Sequence, residues 1–302
     1  MLQPWRKLGR VLQASGASLS RTHAMLPTPW VMADRVRVFY ASCDDDMRGR
    51  IFFADFACEP PFGLIAVSPN PVFDVGLAGA FDCDGVNPSQ IIETDDGLAL
   101  LYIGWRRAPT EAPYTLFAGL AVSDDQGLSF TRRSTPLLPP RPGERLFRTA
   151  PFIYRDDHGY RLLYIGGDAF MDGGDGRRTP VYSLMELRGA SLWDWDGPAQ
   201  VLMAPDVAAG EVGFGRPVIT ADRRLMVSLR SHAGYRLVET DLAFASGTRP
   251  PLTPVVPPPL EPWEARMTCF GALCTVGPNE LLFYNGDGYG RTGAGLAWRP
   301  RN

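Results

Sequence analysis

The stretch 81–105, FDCDGVNPSQIIETDDGLALLYIGW, decides the fold. A polar opening, Asp84-Gly85-Val86-Asn87-Pro88, leads into an apolar run, a turn at Asp95-Asp96-Gly97 and a second apolar run ending Leu101-Tyr102-Ile103-Gly104. Two such runs joined by an Asp/Gly turn predict a β-hairpin. The phrase recurs. His23-Ala24-Met25-Leu26-Pro27 precedes a turn at Ala33-Asp34-Arg35 and the run 36–40, and Thr149-Ala150-Pro151 precedes a turn at 156–159 and the run 161–166.

Pro27, Pro88, Pro151 and Pro217 stand 61, 63 and 66 residues apart, and Tyr40, Tyr102 and Tyr164 follow the first three by 13, 14 and 13. A weaker fifth copy surrounds Tyr284, where the same count backwards reaches Phe270 or Gly271 instead of a proline. Repeats of this length, each holding several short strands, are the mark of propeller blades rather than helical solenoids. The expectation is an all-β, five-bladed β-propeller in a single domain, 1–302, with blades starting near residues 23, 84, 149, 216 and 267. The segment 4–12 reads as a lone strand, and the last repeat is one strand short of four. An N-terminal strand that completes the last blade would close the ring without a long open sheet edge.

Composition agrees. Gly 32 and Pro 28 in 302 residues punctuate helices almost everywhere, while 45% hydrophobic content suffices for a packed core. A net charge of -3 gives no footprint for nucleic acid or an anionic membrane. Lys7 is the one lysine; the other basic residues are arginines, whose planar forks suit carboxylates and phosphates. Five cysteines, Cys43, Cys58, Cys83, Cys269 and Cys274, have no metal or disulfide spacing. The opening MLQPWRKLGRVLQ lacks an apolar signal core, and no apolar run approaches ~18 residues, so the expected location is cytoplasmic without membrane insertion.

In chain order, the first repeat is expected to place strands near Trp30, 36–40, 51–55 and 71–75, with a carboxylate-rich loop at 42–50. A long loop, 105–115, carries Arg106 and Arg107; a glycine-rich excursion spans 170–180. Trp193-Asp194-Trp195 should end a blade with an aromatic packed on its neighbour, and 250–262 should be a proline-rich connector outside any ladder. The segment 285–293, NGDGYGRTG, is read as a loop at the channel end, because no helix follows it to hold a phosphate.

In a propeller the residues before each blade's first strand converge on one mouth. That position holds His23, Asp84, Arg148 with Thr149, Arg216 and the segment 264–267 with Glu264; Glu211 lies just upstream of Arg216. Acids, arginines and a histidine around a concave mouth suit a polar small molecule. Asp46 with Arg48 could reach the rim, and Trp105 and Tyr289 could stack on a sugar ring. Each residue also has an ordinary structural use: Asp84 as a turn cap, His23 in packing, Arg216 in a buried bridge, Glu211, Glu264 and Asp46 as loop carboxylates.

The phrases 23–29, 81–88, 101–105, 119–125 and 284–293 resemble the five-bladed propellers related to glycoside hydrolase families 43 and 32. More narrowly, they resemble a bacterial subgroup found among polysaccharide-biosynthesis genes, similar to the propeller domain of glucosamine inositolphosphorylceramide transferases. The resemblance spans nearly the whole chain and implies a carbohydrate in the central funnel. It also implies a carboxylate base from blade one, a carboxylate modulator from blade two and a glutamate acid from blade three. Asp84 matches the blade-two position; blade one offers His23 and blade three Arg148-Thr149, so a further acid would come from Glu211 or Glu264.

The resulting expectation is a glycoside hydrolase-like or glycosyl-transferring enzyme acting on a polar or anionic bacterial sugar, free or as a nucleotide sugar, with neither metal nor cofactor. Asp84 and Glu264 would form the acid/base pair, with Glu211 as a reserve acid, and His23 would assist proton transfer. Arg148, Thr149 and Arg216 would hold the anionic group, with Trp105, Asp46 and Arg48 completing the site. The alternative is a non-catalytic carbohydrate-binding propeller that works beside a polysaccharide-biosynthesis enzyme.

Overall fold

The computed structural model describes residues 3–108, 112–172, 178–244, 248–258 and 260–301. Strand accounts for 58% and helix for 3%, so the chain is all-β. After β1 (Arg6–Leu12), strands follow in antiparallel runs: β2 (Thr22–Val31), β3 (Arg35–Cys43), β4 (Gly49–Ala57) and β5 (Leu64–Val67); β6 (Gly85–Thr94), β7 (Gly97–Arg107), β8 (Tyr114–Ser123) and β9 (Thr131–Arg132). Then come β10 (Phe147–Asp156), β11 (Gly159–Asp172), β12 (Arg178–Gly189) and β13 (Gln200–Met203); β14 (Glu211–Ile219), β15 (Arg224–Ser231), β16 (Gly234–Asp241) and β17 (Thr253–Pro254); and finally β18 (Cys269–Val276), β19 (Asn279–Asn285) and β20 (Ala294–Pro300).

Hydrogen bonding joins β2 to β13 into one twelve-stranded sheet, because β4 meets β6 at Gly49 and Gly85, and β8 meets β10 at Leu116 and Phe147, through short parallel contacts. Two four-stranded sheets complete the fold, β14-β15-β16-β17 and β1-β20-β19-β18. In the latter, Arg6 lies opposite Trp298 and Leu12 opposite Ala294, so the N-terminal strand flanks the last strand of the chain. The first strands of successive runs touch in order: β2 with β6, β6 with β10, β10 with β14, β14 with β18, and β18 again with β2.

The middle strands read as nearly unbroken apolar runs because both their faces are covered. Eight of the nine residues of β3 are buried, and its Tyr40 packs with Phe52 and Phe56 against Leu281, Phe283 and Leu296 of the last run. Phe56 and Phe283 stand 5.4 Å apart across that seam. Each such ring contributes about 1.5–3 kcal/mol of burial.

The proline period marks a repeated β-bulge. Pairing slips between Met25 and Thr28, Pro88 and Gln90, Thr149 and Phe152, Gly215 and Val218, and Cys269 and Ala272. Leu26, Ala150, Arg216 and Phe270 have positive φ there (49°, 51°, 22° and 54°) and directly precede Pro27, Pro151, Pro217 and Gly271. A proline cannot donate to the ladder, so a bulge, where pairing is already broken, accommodates it. Gly271 takes the proline's place in the fifth run, and the bulge persists. Such backbone settings cost about 1–3 kcal/mol each and are held by the packing around them.

Several local expectations are corrected. The outer strand of the first run is Leu64–Val67, not 71–75; Phe73 only bridges Ile51. Within the proline-rich 250–262, β17 pairs β16. Trp195 is buried as expected, whereas Trp193 is exposed. Parts of two expected loops, 109–111 and 173–177, lie outside the described residues. The five cysteines are free thiols, and among the described residues no helix is long and apolar enough to cross a membrane.

Candidate functional site

The bulges wall a cavity of about 290 Å³ where the first strands meet. Leu26, Asn87, Thr149, Ala150, Arg216 and Phe270 reach it from the five first strands, one turn of irregular backbone each. Its outer wall is aromatic: Trp105 from the end of β7, Tyr114 from β8, Tyr182 from β12, Tyr235 from β16 and Tyr289 from the segment after β19. The charged side chains that line it are Arg216 and Arg230.

Arg216 is the pin of this region. Its guanidinium donates to the Pro27 carbonyl at 2.7 Å, the Thr28 hydroxyl at 2.8 Å, the Ser89 carbonyl at 2.8 Å and the Phe270 carbonyl at 3.4 Å, thereby tying three other first strands to its own. All four acceptors are neutral. Burial lowers its pKa to about 9, which still leaves it cationic at neutral pH.

Arg230 stands among the tyrosines, its guanidinium 5.6 Å from the Tyr235 ring. The Tyr114 and Tyr182 hydroxyls approach to 3.4 Å, and Tyr289 meets Tyr235 edge-on at 5.9 Å. Tyr289 can sit there because Gly288 and Tyr289 adopt left-handed φ (65° and 61°), so the segment 286–293 is a turn rather than a helix. Two lining oxygens are buried without a partner, Thr149 Oγ1 and Asn87 Oδ1. An unmet buried hydroxyl or amide oxygen is costly, so both are groups that a polar ligand would satisfy.

Of the residues expected at the mouth, Thr149, Arg216 and Trp105 line the cavity. Asp84 is one contact removed: its carboxylate accepts from the Arg107 amide at 2.9 Å, and Arg107 stacks on Trp105 at 5.2 Å. Arg107 also donates to the Asp46 carbonyl at 2.7 Å, which fixes the 44–48 loop beside Asp84. Arg48 turns back to Asp44 at 3.1 Å. His23 is buried, with Nδ1 2.9 Å from the Thr22 hydroxyl. Burial, then the charge of Arg291, lowers its pKa.

Arg148, Glu211 and Glu264 are placed elsewhere. Arg148 pairs with Glu144 at 3.2 Å, donates to the Pro139 carbonyl at 2.7 Å and covers the Tyr164 ring. Glu211 pairs with Arg249 and accepts from the Asp206 amide at 2.8 Å. Glu264 is fully buried, paired with Lys7 and accepting from the Glu261 amide at 3.1 Å. Asp84 and Glu264 therefore do not meet across the cavity as an acid/base pair. The residues that sequence reasoning missed are Arg230, Tyr114, Tyr182, Tyr235 and Asn87. Four of them sit on second or third strands or their hairpins, outside the periodic position that was read.

The all-β fold is similar to that of solved glycoside hydrolases. A glycosyl hydrolase from Bacteroides ovatus superposes with a TM-score of 0.69 at 14% identity, over 97% of this chain and 92% of its own. The GH43_1 enzyme from Xanthomonas citri complexed with xylose superposes with a TM-score of 0.62 at 16% identity, over 95% and 90%. A structure described under the GH130 family of mannoside phosphorylases, said to contain glycoside hydrolases that target β-1,2 mannosidic linkages in Candida mannan, gives 0.68 at 13% identity, over 99% and 94%. In sequence, an uncharacterized protein of Mycobacterium tuberculosis (strain ATCC 25618 / H37Rv) is 27% identical over 97% of this chain and 98% of its own length. No family model matches the chain.

Proposed function

We propose that the antiparallel runs are the five blades of one propeller domain, with β1 as the outer strand of the last blade, and that the cavity at their bulges binds a carbohydrate. The observation that carries this reading is the wall itself. Trp105 and the tyrosines supply flat faces for a sugar ring, and Thr149, Asn87 and the tyrosine hydroxyls supply polar groups for its hydroxyls. About 290 Å³ suits one ring rather than a long chain or a nucleotide sugar.

Recognition is favoured over two-carboxylate hydrolysis. Such hydrolysis needs two carboxyl groups flanking the bond about 5–10 Å apart, whereas Glu264 is committed to Lys7 and the charged lining residues are arginines. The protein would then act beside an enzyme that builds or modifies a polysaccharide. Glycosyl hydrolysis or transfer remains a second reading on one observation: Asp84 is partly exposed beside Trp105, in the fold of glycoside hydrolases.

A screen of the purified protein against monosaccharides and oligosaccharides, with Asp84→Asn alongside, tests both. Ligand-induced thermal stabilisation without product in either protein is the expected result. Product from the parent and none from the variant would make the protein an enzyme.

A further inference from the structure

We propose that the sugar is acidic, a monosaccharide unit carrying a carboxylate, and that Arg230 is the residue that binds this group. The inference rests on the carbohydrate reading above and names the class of sugar. Four features of the cavity support it.

First, Arg230 lines the cavity, and among the described residues no carboxylate pairs with it. Its neighbours are the neutral tyrosines Tyr114, Tyr182, Tyr235 and Tyr289. A partly buried guanidinium without a counter-ion favours an anion, and its fork matches a carboxylate with two parallel bonds. Second, Arg216 adds a further buried positive charge whose four acceptors are all neutral oxygens. An anion entering the cavity gains from both charges in a low dielectric. Third, the tyrosine hydroxyls around Arg230 are donors, and a carboxylate offers about four lone-pair sites to receive them. Fourth, Thr149 is 4% exposed with its hydroxyl unmet, on the first-strand side of the cavity. A sugar ring between Arg230 and Thr149 would have its acidic group among the tyrosines and a hydroxyl at Thr149.

Calorimetric titration of the full chain tests this with glucuronate, galacturonate, the two matching neutral hexoses and glucose 6-phosphate. A uronate is expected to bind about 10- to 100-fold more tightly than its neutral hexose, the range of one charge-assisted pair. Arg230→Gln should erase that preference, so that the uronate binds no more tightly than its neutral hexose, and Arg230→Lys should retain part of it. Unfolding curves of each variant identify any that fail to fold; Tyr289→Phe on the exposed rim then serves, with an expected several-fold greater loss for the uronate than for its neutral hexose.

Equal binding of neutral and acidic sugars would overturn the inference and leave the carbohydrate reading standing. Tighter binding of the hexose phosphate than of either uronate would overturn the carboxylate assignment. Binding of none of the probes would overturn the carbohydrate reading, and this inference with it.

Discussion

Tyr164 donates its hydroxyl hydrogen to Glu144 across 2.7 Å, and the two residues stand twenty apart in the chain. The relationship repeats. Tyr102 donates to Asp82 at 2.8 Å over the same interval, and Glu264 precedes Tyr284 by twenty residues as well. Each acid also meets a cation: Arg132 with Asp82 at 3.1 Å, Arg141 and Arg148 with Glu144, and Lys7 with Glu264. Burial, then the neighbouring carboxylate, raises the hydroxyl pKa of Tyr164 and Tyr284. One device thus pins the second strand of two runs to the segment before its first strand, and the acid-to-tyrosine spacing recurs in the last run.

Glu264 accordingly belongs to the framework. Glu264→Ala removes one side of a largely buried ion pair, a change that costs about 3–5 kcal/mol. The urea midpoint of the variant should drop accordingly, while sugar affinity at a temperature where it remains folded should not move. Unchanged stability with lost ligand binding would return Glu264 to the site.

Arg216→Met should be among the most damaging single changes. It strands the Pro27 and Ser89 carbonyls in a buried place, at about 1–3 kcal/mol for each unmet group, and takes one bond from the Thr28 hydroxyl. The expected result is a variant that unfolds at a much lower denaturant concentration or fails to accumulate; near-native stability would contradict the pinning role.

Much of this was legible in the sequence. The prolines at 27, 88, 151 and 217 located the bulges, and counting back from Tyr284 located the fifth at Phe270-Gly271. Since bulge residues line the cavity, that reading found Thr149 and Arg216. It misplaced Arg148 and Glu264, because residues at or before the start of a first strand face the supporting acid-tyrosine contacts as readily as the mouth. The acids twenty residues before Tyr102, Tyr164 and Tyr284 carried a signal that a search for proline spacing passes over. Arg230 had no periodic signal, for the fourth run replaces the tyrosine phrase with RLMVSLRS and its arginine is one of many.

His23 predicts a pH dependence of stability. Burial and Arg291 lower its folded pKa below the ordinary 6.5, so the unfolded chain binds the proton more readily. Its contribution is therefore fully present above pH 6.5 and is lost as pH falls from there through the lowered folded value. Chemical unfolding between pH 8 and pH 5 should show this decline, and His23→Gln should flatten it. A decline of equal size in the variant would assign the effect to other groups.

Gly119 tests the packing that sets the second strand against the third. Its position on β8 faces the Tyr102 ring so closely that an added Cβ would lie 2.2 Å from Cζ and 2.5 Å from Cε1. Tyr102 cannot swing aside, since its hydroxyl is held by Asp82 and its ring lies 4.9 Å from Phe73 and 6.0 Å from Phe81. Gly119→Ala should therefore destabilise by at least the ~1–3 kcal/mol typical of overpacking, with release of the Tyr102-Asp82 bond. Gly63 is the control, because nothing lies within 4 Å of a Cβ added there. Gly63→Ala should leave the urea midpoint within the small range of surface changes. If both alanine variants unfold at the same midpoint, the ring of Tyr102 is free to move and the twenty-residue device does not fix the second strand.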